Sequence, residues 1–449
     1  AKVSYVTAYD NVAKMPFFFF FVVSQCDDTI KSQSIEGYYG NSVLDVNDVR
    51  VVLGGEEKVS ELYADVNKLF VDDKVLTMFL PMKNALSVNL KGNILYTPSL
   101  VDVKNLEVTT SGKSLLETDM YIENYNERGS IKLNGDVKRC LLNIAEIESV
   151  LGRSIMDSNI SAGLGNVEFS GTAIGSSEKI ECKGVLVSNI GSMNIDGSVS
   201  LLEERINTSG KLYSKGMDLS LISNGALGPM SFTSDISGYI ENDSLLFAQI
   251  DGNVEHLVVK DYRYKNIVFN GFTNARQGNL LVELNDENGS LNVIGDYERQ
   301  GVKSFYSVTA KVDSLRTGRT NLTPNYPEGV LSFASRLTVS EQTQDAMRAN
   351  LLVDGLTFTG ATYDMDIKRI ILDLNQDGQK KDIVLESDYI NGLVNGEFSY
   401  TDVWPSLFNQ ALGSVGILGS AKTIARDVNL NMDVRYSDIT PIMQFVLDS

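Results

Sequence analysis

Four glycines, Gly171, Gly184, Gly197 and Gly210, fall 13 residues apart, and Gly225, Gly238 and Gly252 follow at intervals of 15, 13 and 14. One pattern runs around most of them: apolar, any, apolar, any, Gly, any, apolar. Val167, Phe169, Gly171 and Ala173 are the first instance, and Ile180, Cys182, Gly184 and Leu186 the second. Met193, Ile195, Gly197, Val199 and Leu201 are the third, and Gly210 with Leu212 carries it on. The residues between are mostly polar, as in Glu168, Ser170 and Thr172 or Asn194, Asp196 and Ser198. Side chains alternate faces along a strand, so each segment has one wet face and one oily face, with the glycine on the oily one. A glycine inside a strand marks a bend or a close approach. Evenly spaced hairpin turns are the alternative, but apolar parity continues through each glycine, and a turn would break it. The spacing predicts one strand of roughly 8–10 residues plus a short turn per period, repeated as an antiparallel meander.

A meander with one apolar face must cover that face, and the chain offers too few helices to do so. The sheet can pack on another sheet, close into a barrel, or fold lengthwise into a trough. Roughly 25–30 strands at about 4.8 Å each would give a ribbon over about 100 Å long if continuous. A barrel of that size would be a large pore with its oily face outward. A trough keeps the oily face inside, and inward glycines let each strand curve across the floor and leave room above it. Acyl chains suit such a groove. The expected lining is Val167, Phe169, Gly171, Ile180, Gly184, Leu186, Met193, Ile195, Gly197, Val199, Leu201, Gly210 and Leu212. The fold class expected is all-β, an elongated antiparallel repeating β-groove with a few short helices.

Residues 1–34 read as an N-terminal segment, β or partly irregular, and 35–449 as one continuous repeating groove. The apolar run Phe17 to Val23 is too short to span a bilayer, which takes about 20 residues, so it reads as a buried strand, with an interfacial anchor as the alternative. Alternation fails at Val43, Asp45, Asn47 and Val49, leaving the register there open. Leu141, Ile144, Ile147, Val150 and Leu151 recur at helical spacing and Gly152 supplies a stop, predicting a short helix near 141–151. Asn288-Gly289 is a hairpin signal. Residues 316–329, with Pro324, Pro327 and Gly329, read as a loop. Two further short helices are expected near 405–412, after Trp404, and 439–447. Gly413, Gly416 and Gly419 read as a flexible stretch, because no strand–GxGxxG–helix unit surrounds them.

Little here supports catalysis. A single histidine, His256, removes most histidine-based triads and metal sites. Cys26, Cys140 and Cys182 are odd in number and far apart, so they form neither a disulfide framework nor a metal spacing. Ser176-x-x-Lys179 has a Ser-Lys spacing but sits in a polar turn without the rest of that motif set. Asp373, Asn375, Asp377 and Gly378 match part of a calcium loop, yet position 12 is Val384, and a hairpin turn explains them as well. We expect no enzyme, no metal and no cofactor. The net charge of −19, from 58 acids against 39 bases, argues against nucleic acid as a partner. Ala1 without a preceding methionine or signal peptide reads as a fragment or processed form.

The string Tyr264-Lys-Asn-Ile-Val-Phe-Asn-Gly271, followed by Gly278 to Leu284, Asn288-Gly289 and Leu291 to Gly295, resembles the repeat unit of the TamB/AsmA family of envelope proteins. So do Leu141 to Leu151 after Gly135-Asp-Val137, and the closing Leu430 to Leu447. The resemblance is one of pattern over most of 35–449, in the style of the Bacteroidetes-type versions. It implies a β-taco fold in the periplasm of a Gram-negative cell envelope, with an inner-membrane anchor outside this stretch. It implies carriage of phospholipid towards the outer membrane, or help in outer-membrane protein assembly beside an Omp85-type barrel. The family's conserved C-terminal domain is not evident here, so this stretch is expected to be an interior fragment of such a protein, and the barrel partner is a weaker expectation than the lipid. The rival reading is a structural β-solenoid or adhesin with a sealed core. A second is a carbohydrate-active enzyme, which would need clustered aromatics and paired carboxylates in a cleft.

Overall fold

A computed structural model describes residues 2–10, 15–55, 58–79, 86–127, 129–152, 154, 156–202, 205–241, 244–343, 346–361, 364–398, 429–437 and 440. Among them, 75% lie in strands and 7% in helices, so the chain is all-β and antiparallel, as its alternation predicts. It divides into two compact units, Ala1–Ser244 and Leu245–Ser449. No boundary falls at residue 34, which lies inside a strand.

In the first unit the strands are β1 (Lys2–Asp10), β2 (Met15–Cys26), β3 (Thr29–Tyr39), β4 (Ser42–Leu53), β5 (Val59–Val71), β6 (Val88–Thr97), β7 (Leu100–Thr110), β8 (Leu115–Glu123), β9 (Lys132–Asn143), β10 (Asn166–Ser176), β11 (Lys179–Ser188), β12 (Gly191–Leu202), β13 (Arg205–Asp218) and β14 (Pro229–Glu241). Each pairs with the one before it. The second unit holds β15 (Ser244–Val259, all but its first residue), β16 (Tyr262–Asn274), β17 (Gln277–Asp286), β18 (Gly289–Gln300), β19 (Lys303–Arg316), β20 (Val330–Thr343), β21 (Ala346–Thr359), β22 (Asp364–Asp377), β23 (Lys380–Ser387), β24 (Ile390–Glu397) and β25 (Asn429–Tyr436). These too pair in sequence.

Short turns set the registers. Lys260 and Asp261 both take positive φ, 47° and 64°, the signature of a type I′ hairpin whose twist matches the strands it joins. The hairpin expected at Asn288-Gly289 is present, shifted by one residue: Asp286 pairs with Gly289, so Glu287 and Asn288 are the turn. The broken alternation of β4 accompanies three register shifts against β5, two of them between Asp45 and Arg50, with Asp48 at φ 45°.

Elsewhere the ladder is interrupted by a residue at positive φ, and this leaves a backbone N–H without its strand partner. At five such places a side chain from a neighbouring strand or turn accepts it. Asn105 N–H donates to Asp119 Oδ1 at 2.6 Å, Gly216 to Ser231 Oγ at 2.9 Å and Ser314 to Ser332 Oγ at 2.9 Å. Beside the kinks at Asn266 and Gly355, Lys265 N–H donates to Asp286 Oδ2 at 3.0 Å and Lys368 N–H to Asp388 Oδ2 at 2.7 Å.

Three helices lie between strands: α1 (Asp73–Phe79), α2 (Ile144–Leu151) and α3 (Ser158–Leu164). The helix expected from Leu141 starts at Ile144, because Leu141 and Asn143 still pair with β10 and the Asn143 side chain caps the helix by accepting Glu146 N–H. Helices α1 and α3 are too short to show a helical period. The Glu146 carboxylate accepts the N–H groups of Gly112 and Ser114 and the Ser114 hydroxyl, pinning α2 to the β7–β8 turn. Burial raises the pKa of Glu146, but these bonds outweigh it and hold the group below its ordinary value. The helices expected near 405–412 and 439–447, and Gly413, Gly416 and Gly419, lie outside the described residues.

The Asp119 acceptor gives a test. The Lys138 ammonium at 2.9 Å, and then Asn105 N–H, hold its carboxyl below the ordinary value. Its contribution is therefore present above the unfolded-state pKa and is lost as pH falls through the folded-state pKa. Asp119→Ala is expected to cost about 1 kcal/mol near neutral pH, because the Asn105 N–H loses its acceptor while solvent screens the lysine. Chemical denaturation of both proteins at descending pH should show that gap closing below about pH 4; a gap constant with pH would mean that the carboxylate is not the acceptor.

Candidate functional site

In the first unit, the register brings every expected lining residue to one face. Phe169 faces Leu186, which faces Met193; Gly184 faces Ile195, which faces Leu212; Ile180 faces Val199. Val167 and Leu201 share the same parity, with Leu201 opposite Ile206 and Ile206 opposite Ile240. None of these lining residues is fully buried, and Leu201 is 42% exposed. Along β12, Ser192, Asn194 and Asp196 are exposed while Met193, Ile195 and Gly197 are half-buried. On the opposite face charges alternate across the strands: Lys183 with Asp196 at 3.0 Å, Asp196 facing Lys211, and Lys211 with Asp235 at 3.6 Å. Such exposed pairs add little stability. They do set register, because a slip by one residue would carry the charges onto the oily side.

The 13-residue period has a direct geometric result. Gly171 stands opposite Gly184, and Gly197 opposite Gly210, all inside strands. A Cβ on Gly171 would collide with the Lys183 carbonyl oxygen and the Gly184 Cα; one on Gly210 would stand 3.0 Å from the Gly197 Cα. The strands press together here on the oily side, and only glycine permits it. Two expectations need correction. Gly225 is not a strand position: it lies in a turn after a short 3-10 turn at Leu219–Leu221, with φ 80°. Nor do the glycines always leave room above the floor. At Gly37, Gly184 and Gly252 that space holds the rings of Phe19, Phe169 and Phe269.

The second unit repeats the apolar face and makes it asymmetric. The row Val254–Ile267–Leu284–Leu291–Val312 runs across five strands, and every member but the half-buried Leu291 is at most 9% exposed. A parallel row nearer the other strand ends contains Ile250, Leu280, Val308 and Leu337, which are 36–47% exposed. The difference follows the loop between β19 and β20. Residues 317–329 are well packed: Thr317, Thr320 and Tyr326 are buried, and the Tyr326 ring meets Phe358 edge-on at 5.3 Å. The loop reaches back across the hairpin ends, where Arg316 N–H donates to Asn288 O and Asn321 Nδ2 to Lys260 O at 3.0 Å. Beneath it Tyr262 donates to Asp286 Oδ1 at 2.6 Å and accepts from Asn288 Nδ2 at 2.8 Å. Burial, and then the bond to Asp286, push the Tyr262 hydroxyl up to about 12, so it remains a proton donor at neutral pH. This strap walls off one side of the apolar face.

The run Phe17 to Val23 is half-buried on both faces of β2 rather than fully buried. Ser176 Oγ accepts Glu178 and Lys179 N–H in the β10–β11 turn, and Lys179 Nζ binds Glu181. Asp373 and Asn375 point to cross-strand partners, Asn350 and Arg348, and Gly378 shapes a hairpin. Cys140 and Cys182 lie on the oily face, where burial raises their pKa values. His256 stands opposite Lys265. Among the described residues no three His, Cys, Asp or Glu side chains group as metal ligands. The strap's composition marked it as a loop, but nothing in a single sequence said where its tip would land.

The glycine floor predicts a ranking. Gly171→Ala sets a methyl against backbone and should cost at least the 1–3 kcal/mol typical of overpacking. The nearest atoms to a Gly252→Ala methyl are those of the Phe269 ring, which can turn away, so this variant should cost less. Urea unfolding of the two variants orders them; equal losses would mean that the close strand approach is not what requires glycine. No family model, curated protein or solved structure matches this chain.

Proposed function

We propose that the apolar face is a path for the acyl chains of phospholipid, in a TamB/AsmA-like periplasmic component of a Gram-negative envelope. The observation that carries this reading is an apolar face that runs from strand to strand through β10–β13 in the first unit and β15–β20 in the second, with much of it left half-exposed. Monomeric proteins rarely leave a contiguous apolar patch of more than a few hundred Å² uncovered, and a larger one marks a ligand groove or an interface. Each methylene covered by such a face gains about 0.8 kcal/mol.

Hydroxyls on this face do not interrupt it. Ser214, although buried on it, gives its proton to the Ser192 carbonyl at 2.6 Å. Rows of similar aliphatic residues hold a chain everywhere and nowhere especially tightly, which suits a conduit more than a pocket. At the open side of the second unit, the rings of Tyr297 and Tyr306 meet at 5.2 Å, tilted by 33°. Tyrosines belong where an apolar region meets water. Among the described residues no helix is long and apolar enough to cross a membrane. Assistance to an Omp85-type barrel is a separate role of the resembling family, and the lipid reading does not depend on it.

Ile195→Asp separates the conduit from a sealed core, with Val66→Asp as its control. Val66 is 7% exposed within a packed cluster, so a carboxylate there costs several kcal/mol and should unfold the unit. Ile195 is half-buried, so its carboxylate stays hydrated and the fold should survive. We expect Ile195→Asp to melt near the native temperature and to retain several-fold less photo-crosslinkable lipid. A variant that melts like Val66→Asp favours the sealed core; one that keeps both its stability and its lipid load removes Ile195 from the path.

A further inference from the structure

Near the open rim of the second unit, on the face opposite the apolar one, the ends of β16 to β21 enclose a depression of about 440 Å³. Its wall includes Phe272, Asn279, Asp296, Glu298, Phe305 and Arg348. In register, Asn279 faces Asp296 and Glu298 faces Phe305. The carboxylates are held in place by amides: Asn279 Nδ2 donates to Asp296 Oδ1, and Gln300 Nε2 to Glu298 Oε1, both at 2.7 Å. Arg348 uses Nε on Asn375 Oδ1 at 3.2 Å. Among the described residues, Arg348 makes no ion pair, and neither do Asp296 and Glu298. Charges of both signs thus line one concavity without neutralising each other.

That arrangement fits a ligand that itself carries both signs. A guanidinium binds a phosphodiester through its planar fork. Carboxylates beside aromatic rings suit an ammonium, and the ring faces favour a quaternary one. Glu298 and Arg348 sit on one cross-strand row three spacings apart, about 14 Å at the backbone, so their side chains approach a ligand from opposite ends. Both lie within three residues of a strand end, and the paired Tyr297 and Tyr306, which also border the depression, share the parity of the apolar side at the same rim.

We propose that this depression seats the zwitterionic phosphodiester headgroup of a phosphatidylcholine-type lipid whose acyl chains cross the adjoining rim onto the apolar face. This assignment rests on the acyl-chain reading and adds a headgroup class to it. A free phosphodiester would offer the same chemistry without the chains, so the test includes one.

The full chain is offered vesicles containing chain-labelled phosphatidylcholine, phosphatidylglycerol or diacylglycerol with identical acyl chains, and bound label is counted after separation. Glycerophosphocholine is titrated separately. The native protein should take phosphatidylcholine over phosphatidylglycerol at least fivefold. Arg348→Glu should lower phosphatidylcholine about tenfold and leave diacylglycerol unchanged. Asp296→Asn with Glu298→Gln should bring phosphatidylglycerol level with phosphatidylcholine. Melting temperatures check the fold, and Phe305→Leu, which keeps an apolar side chain, should halve the preference or more if a charge variant unfolds. A flat lipid ratio in the native protein, or a ratio none of the variants moves, overturns the headgroup site while diacylglycerol binding keeps the acyl path. Loss of diacylglycerol binding in the native protein overturns both. Glycerophosphocholine binding as tight as the lipid's replaces the lipid with a soluble phosphodiester.

Discussion

A sheet whose strands all carry aliphatic residues on one side has an unsolved half until something lies against that side. Among the described residues the helices are short and lie between strands, and few of the apolar residues reach full burial. Small clusters such as Val46, Ala64 and Val66, or Tyr326 and Phe358, are the dense parts of the interior. The remaining face is half-open, and the stability of the fold rests more on the strand-to-strand hydrogen-bond ladder within each unit than on a single large core.

That ladder must bend without leaving amides unpaired, because a buried donor without a partner costs more than an average hydrogen bond contributes. Two devices do this. Bulges and kinks at Asn105, Gly216, Asn266, Ser314 and Gly355 turn the strands, and Asp or Ser side chains take up the freed N–H groups. In β10 to β13 opposed glycines let neighbouring backbones close on the oily side instead. The first device consumes polar side chains and the second avoids side chains altogether. Both leave the apolar stripe continuous.

The strap at 317–329 gives the second unit a direction. It seals one side of the apolar face with hydroxyls and rings that are already satisfied, while the other side keeps its aliphatic row exposed and, on the opposite face, charges held by amides rather than by ion pairs. A ligand with an apolar body and a charged end meets complementary surfaces in that order. The carboxylates of the rim come from β18 and the arginine from β21, so their meeting depends on register.

The sequence by itself determined the class of fold, the wet and oily faces, and the strand positions of Gly171, Gly184, Gly197 and Gly210, because period-two alternation is a local property that each segment declares alone. It also marked β4 as irregular, since Asp45 and Asn47 fall out of phase. It did not separate Gly225 from the in-strand glycines, because a count of residues does not distinguish a turn from a strand. Only the tertiary structure decided that Phe19, Phe169 and Phe269 fill the space above glycines, that the loop after β19 folds back over β15 to β18, and that Asp296, Glu298 and Arg348 share one concavity. Those outcomes depend on which strand lies beside which and by how many residues it is shifted, and that is set by bulges and loop packing spread over the whole unit.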